Sequence, residues 1–152
     1  MNTRSLTMKW CVALYVMAFV FGVFPARAAA SEAKFEAILI WGTNDEKPSD
    51  PKIKPVSEAV AKKLKDFKWA NYYEIARQTV GVGKDEKRVQ MSKDCVIVIK
   101  VLDKDQVEVT LIGKGKTVAT MKKELRKGGG CLVTGGKATN STGWFIILRQ
   151  VE

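Results

Sequence analysis

Histidine is missing from all 152 residues, and this absence removes more chemistry than any other feature of the chain. Ser-His-Asp and Cys-His nucleophile activation, imidazole metal ligation and the usual proton shuttle near neutral pH all need that ring. A lysine could still activate a serine if it were buried beside one. Ser31, Ser49, Ser57, Ser92 and Ser141, however, all fall in loops or at element ends. Acids are scarce beside bases, 16 Asp+Glu against 26 Lys+Arg, and only two dense acidic groups could offer a calcium cage or a glycosidase pair. Asn44-Asp45-Glu46 with Asp50, and Asp103 with Asp105, do not place oxygen ligands at the positions of a calcium-binding loop, and lysines stand beside both groups. They read as solvated turns, since Asp and Asn favour turns for backbone reasons.

Phosphate-binding loops are also lacking. Gly115-Lys116-Thr117 and Gly81-Val82-Gly83-Lys84 imitate them, but Thr110 stands where the first needs its leading glycine, and the second has no Ser or Thr after its lysine. The first has a sufficient explanation as a hairpin turn. The lysine clusters at 62, 63, 65 and 68 and at 122, 123, 126 (arginine) and 127 have no aromatic residues interleaved, so neither resembles a stacking platform for nucleic acid. No cofactor, metal, nucleotide or nucleic-acid partner is expected, and neither is an enzyme. There is no internal repeat and no low-complexity tract.

What is present begins with an export leader. Arg4 and Lys9 precede an uncharged apolar run from Cys11 to Ala26, broken at Gly22 and Pro25, and Ala26-Arg27-Ala28 places small residues where a signal peptidase inspects the chain. The expected division is a signal peptide over 1–28 and a single domain over 29–152. The run falls short of the roughly 20 apolar residues that a membrane-crossing helix needs, so no transmembrane span is expected in the mature form. Cys11 opens the run and does not follow it, which opposes lipidation. The expected location is periplasmic or extracellular.

Loss of Arg4, Lys9 and Arg27, with no acid, takes the formal charge from +10 to +7. In an exported protein such a balance suits anionic lipid head groups or acidic glycans, or serves solubility alone through solvated lysine faces. The surviving cysteines, Cys95 and Cys131, are even in number, and each opens an apolar run. In an oxidising compartment they are a candidate disulfide, which would stabilise the fold by about 4 kcal/mol on the chain-entropy model. The alternative is a pair of reduced thiols filling the core.

Hydrophobic periodicity then gives the elements. Phe35–Trp41 is a strand apolar on both faces, and so either central or covered by a helix. Gly42–Lys54, with Pro48 and Pro51, reads as a surface loop. A helix is expected from about Pro55 to Phe67, its apolar stripe formed by Val56, Val60, Leu64 and Phe67 with Lys62, Lys63 and Lys65 turned outward. From Asn71 onward the period is two, with turns at Asp103-Lys104-Asp105, Gly113-Lys114-Gly115, Gly128-Gly129-Gly130 and Asn140-Ser141-Thr142-Gly143, the last also holding a glycosylation sequon. Sequence neighbours are expected to pair antiparallel. The fold class is α+β, one helix packed on a mainly antiparallel β-meander or small sandwich of about seven strands.

Trp41, Trp69, Tyr72, Tyr73, Trp144 and Phe145 are the aromatics that could mark a surface. Adjacent strand residues point to opposite faces, so Tyr72 and Tyr73, and likewise Trp144 and Phe145, must separate. Each is either core or rim. Trp69, Tyr72 and Tyr73 beside Lys68 and Arg77 form the candidate binding surface, suited to an acidic glycan or a partner protein.

Leu39-Ile40-Trp41-Gly42-Thr43-Asn44-Asp45, Lys54-Pro55-Val56, Phe67-Lys68-Trp69, Tyr72-Tyr73, Gly113-Lys114-Gly115-Lys116 and Trp144-Phe145 resemble a family of small exported proteins of verrucomicrobial-type bacteria. The resemblance implies a periplasmic location and carries over no site residue. The reading that results is a non-catalytic exported binding or envelope-assembly domain whose partner is a protein or an envelope component, including an anionic glycan or lipid. The alternatives are a secreted inhibitor or accessory factor of an enzyme and a hydrolase that works with two carboxylates.

Overall fold

The computed structural model describes residues 32–45, 48, 50–103, 105–137 and 141–152. The leader expected over 1–28 lies outside them, as do Glu46, Lys104 and the sequon's Asn140. Nine strands and one short helix follow in the order β1 (Ala33–Thr43), β2 (Lys54–Pro55), α1 (Glu58–Leu64), β3 (Asn71–Val82), β4 (Lys87–Ser92), β5 (Cys95–Val101), β6 (Gln106–Gly113), β7 (Lys116–Glu124), β8 (Leu132–Lys137) and β9 (Thr142–Gln150). They form two antiparallel sheets, sheet A in the order β2-β3-β1-β9-β8 and sheet B in the order β4-β5-β6-β7. The architecture is α+β and rich in β-structure. No helix among the described residues is long and apolar enough to cross a membrane.

The alternation of β1 explains why it sits in the middle of sheet A. Phe35, Ala37 and Leu39 enter the apolar layer between the sheets with Ile97 and Ile99 of β5, Val109 and Leu111 of β6, and Ile146 and Leu148 of β9. Ile38 and Ile40 face the other way, where Val60 and Leu64 of the helix cover them together with Phe145 and Ile147. A strand apolar on both faces needs a cover on each, and here sheet B supplies one and α1 the other. Each such Ile or Leu, fully buried, contributes about 1.5–3 kcal/mol of transfer free energy.

Several expectations are corrected. The helix is shorter than Pro55–Phe67, because Pro55 pairs with Tyr73 as part of β2 and the Val56 N–H donates to the Tyr72 carbonyl. The backbone is therefore still extended at Ser57, the N-cap (φ −65°, ψ 155°). At the other end the Tyr72 hydroxyl lies 3.2 Å from the Leu64 carbonyl and 3.0 Å from that of Phe67, so its one proton ties β3 to the chain that leaves the helix. The meander is also interrupted. β4–β7 do pair in sequence order, but β3 and β4 are in different sheets, and β9 returns to lie beside β1. Among the described residues the strands number nine where about seven were expected.

Of the two readings of Cys95 and Cys131, a candidate bridge or reduced thiols in the core, the structure has the second: both are free thiols. Cys95 belongs to the layer between the sheets, whereas Cys131 packs against the cluster under the helix. Parity and compartment say nothing about which side of a sheet a thiol faces, and these two thiols serve different cores.

Candidate functional site

The proposed surface residues do not form one surface. The Trp69 indole lies on a pair of glycines, Gly42 of β1 and Gly143 of β9, which are cross-strand partners. A Cβ at Gly143 would stand 2.6 Å from Trp69 Nε1, and one at Gly42 would stand 2.6 Å from its Cδ1, so the ring occupies the space that side chains would fill. Lys68 is exposed beside it, and both border a shallow depression of about 270 Å³ with Phe67 and Phe145. Tyr72 packs edge-on to Phe145, with ring centroids 6.0 Å apart, and its hydroxyl is engaged with the end of the helix. Partial burial raises the pKa of that hydroxyl. Tyr73 faces the opposite way, buried, with its ring 6.1 Å from that of Trp41.

Arg77 is neutralised in place. Its guanidinium holds Glu74 through two hydrogen bonds (3.0 and 2.7 Å) and Glu36 through a third (2.8 Å), and Arg149 grips the second oxygen of Glu36 at 2.6 Å. Partial burial alone would raise the Glu36 carboxyl, but the hydrogen bonds from Arg149 and Arg77 outweigh it and hold the carboxyl below its ordinary range. The hydrogen bonds to Glu74 lead in raising Arg77 above its usual value. This ladder of alternating charge spans β3, β1 and β9 and holds the Arg77 guanidinium between two carboxylates.

A wider cleft lies elsewhere, between the two sheets at the end where Trp41 and Trp144 stand side by side as cross-strand partners. Its volume is about 560 Å³. From sheet A it is bounded by Leu39, Trp41, Ile75 and Trp144, and from sheet B by Ser92, Cys95, Gly113 and Val118. Four large apolar side chains remain exposed among the described residues, and two of them, Ile75 (40%) and Val118 (50%), line this cleft. Gly136 of β8 is paired with Trp144 and also lines the cleft, so no side chain from the neighbouring strand covers the indole there.

The lip on the sheet B side is built from two turns. The Lys114 N–H donates to the Asp94 carbonyl at 2.8 Å, tying the β6–β7 turn to the β4–β5 turn. Lys114 (φ 49°) and Gly115 (φ 76°) both adopt the left-handed conformation that a two-residue hairpin requires. Past the end of β1, Thr43 Oγ1 accepts from the Asp45 N–H at 3.0 Å, and Asn44 Oδ1 accepts from the Ala70 N–H at 2.9 Å. The Asn44-Asp45 group is therefore a clip that ties the start of β3 to the end of β1. The polar groups of the cleft are Ser92, Asp94 and Lys114 at its rim. Burial pushes the Cys95 thiol up, away from the reactive thiolate.

Among the described residues Asp94 is the one carboxylate lining this cleft. Glu32, Asp103 and Glu152 border a second concavity of about 420 Å³ at the opposite end of the sheets, and Glu152 is paired there with Lys34. Among the described residues no group of three or more Cys, Asp or Glu is placed to hold a metal ion. The site thus has the character of an apolar binding cleft with a thin polar rim. Sequence reasoning missed Ile75 and Val118, whose exposure depends on a bulge in each strand, between the pairs of Leu39 and Ile40 and between those of Leu111 and Ile112. Comparison with family models, curated proteins and solved structures finds no match to any of them.

Proposed function

We propose that the chain is a non-catalytic exported domain that binds a protein of the cell envelope, receiving an apolar side chain of that partner in the cleft between Trp41, Trp144, Ile75 and Val118. One observation carries this reading. Two large apolar side chains are left in water on the walls of a single cleft whose floor is already aromatic. Exposed apolar groups gathered in one concavity are what a binding site needs, whereas scattered ones need no explanation. The apolar leader of the sequence supports the extracytoplasmic setting.

Fluorescence titration with the apolar probe N-phenylnaphthylamine tests it, using protein purified from the extracytoplasmic fraction. Val118→Asp and Ile75→Asp are expected to weaken probe binding at least tenfold. Leu102→Asp, at an equally exposed position outside this cleft, is expected to leave it unchanged. Equal binding by all four proteins would remove the cleft from consideration.

A further inference from the structure

Among the described residues sheet B ends at β7, and one side of that strand is open. Its register with β6 uses one row of main-chain groups, and among the described residues no other backbone hydrogen bond engages Lys116–Glu124. The opposite edge of the sheet is different, because Gln78 Nε2 of β3 donates to the Gln90 carbonyl of β4 at 2.6 Å and bridges the two sheets there. An open edge is a template for another strand, and proteins use such edges to capture extended peptides.

We propose that β7 is a strand-addition edge: an extended acidic segment of a partner polypeptide pairs with Ala119–Glu124 as a fifth strand of sheet B and sends an apolar side chain into the cleft beside Val118. This deepens the cleft reading given above and rests on it. The bulge sets the geometry. Leu111 pairs with Ala119 and Ile112 with Thr117, so Val118 stands out of the ladder, and it is the β7 residue that lines the cleft. Regular strand therefore begins at Ala119, directly beside the cleft mouth.

Charge decides what kind of strand can add. Between residues 114 and 127 the chain carries six cations, at 114, 116, 122, 123, 126 and 127, against one acid, Glu124. Lys122 is paired with Glu108, and Arg126 with Asp105 and Glu124, while Lys114, Lys116 and Lys127 make no ion pair among the described residues. A second copy of this chain would bring the same cations against themselves, and like charges directly opposite across a ladder are destabilising. An acidic segment meets the opposite situation, so the lysines that bar self-pairing select for it.

The test uses isotope-labelled protein from the extracytoplasmic fraction and nine-residue peptides of alternating valine and threonine. One ends in glutamates, one ends in lysines, and the third is the acidic peptide N-methylated at alternate residues. The acidic peptide is expected to slow amide exchange over Ala119–Glu124. Its affinity should fall at least tenfold on changing its ends to lysine, at least tenfold on N-methylation, and severalfold between low and moderate salt. Replacing two unpaired lysines together, Lys116→Glu with Lys127→Glu, should reverse the preference to the basic peptide without unfolding the domain. Equal binding of the N-methylated peptide, or protection of Leu132–Lys137 in place of β7, would overturn strand addition. So would a concentration-dependent dimer that protects Ala119–Glu124 without peptide. If every peptide is inert while the apolar probe still enters the cleft, strand addition fails and the cleft reading stands; if both are inert, both fail.

Discussion

If the Trp69 ring replaces the side chains missing at Gly42 and Gly143, then adding a methyl group at Gly143 and removing the ring must be strongly coupled. A Cβ at Gly143 would lie 2.6 Å from Trp69 Nε1 and 2.8 Å from Cε2, closer than unbonded carbon tolerates, and the indole is too rigid to yield locally. Overpacking of this kind costs about 1–3 kcal/mol. Trp69→Ala removes a half-buried indole and should cost about 2–3 kcal/mol, below the cost for a fully buried one. In the Trp69→Ala background the space is open, and Gly143→Ala should then be neutral or stabilising by about 0.5 kcal/mol, since glycine is the poorer strand residue. The double-mutant cycle is thus expected to show a coupling of at least about 1 kcal/mol. Urea titration followed by far-ultraviolet circular dichroism reads it, and each kcal/mol also shifts Tm by roughly 3–5 °C in a domain of this size. Costs that add to within about 0.5 kcal/mol would refute the stacking and return Trp69 to the surface.

Glu36→Gln should destabilise the fold by about 1–2 kcal/mol at neutral pH, discounted for the exposure of Arg77 and Arg149. The folded pKa of Glu36 is depressed, so its contribution is present above the unfolded value of about 4.3 and is lost as pH falls through the folded value; the gap in stability between wild type and variant should therefore close in acid. Denatured protein from the extracytoplasmic fraction should react with two equivalents of thiol reagent without prior reduction, while native Cys95, buried and with a raised pKa, should react slowly. Recovery of a bridged species would contradict the separation of the two thiols into different cores.

Particular residues show how much of this was legible in the sequence. The two-faced apolar pattern of Phe35–Trp41 announced a central strand, and β1 lies between β3 and β9 under the helix. The Gly113-Lys114-Gly115 turn was likewise readable, because left-handed backbone has a local chemical signature. The opposition of Trp144 and Phe145 followed from the pleat alone, and they do enter different clusters. What could not be read was which sheet a strand joins. Gly83–Glu86 looks like any hairpin connection, yet it carries the chain from sheet A to sheet B, and the partners that decide this are far away in sequence. The seat of Trp69 was hidden for a related reason. Among lysines it looks like a rim residue, and its seat exists only once Gly42 is set opposite Gly143, a register created by pairing the first strand with the last. The cleft escaped notice because its exposed walls, Ile75 and Val118, are set by bulges that ordinary alternation does not reveal.

The most direct measurement of the central claim is an amide and indole N–H shift map recorded while N-phenylnaphthylamine is titrated into the protein. The account predicts that the perturbed signals gather at Gly113, Lys114, Val118, Gly136 and the Trp144 indole, with the Trp69 indole unmoved. Shifts concentrated instead at Trp69, Lys68 and Phe67, or spread evenly over the surface, would contradict it.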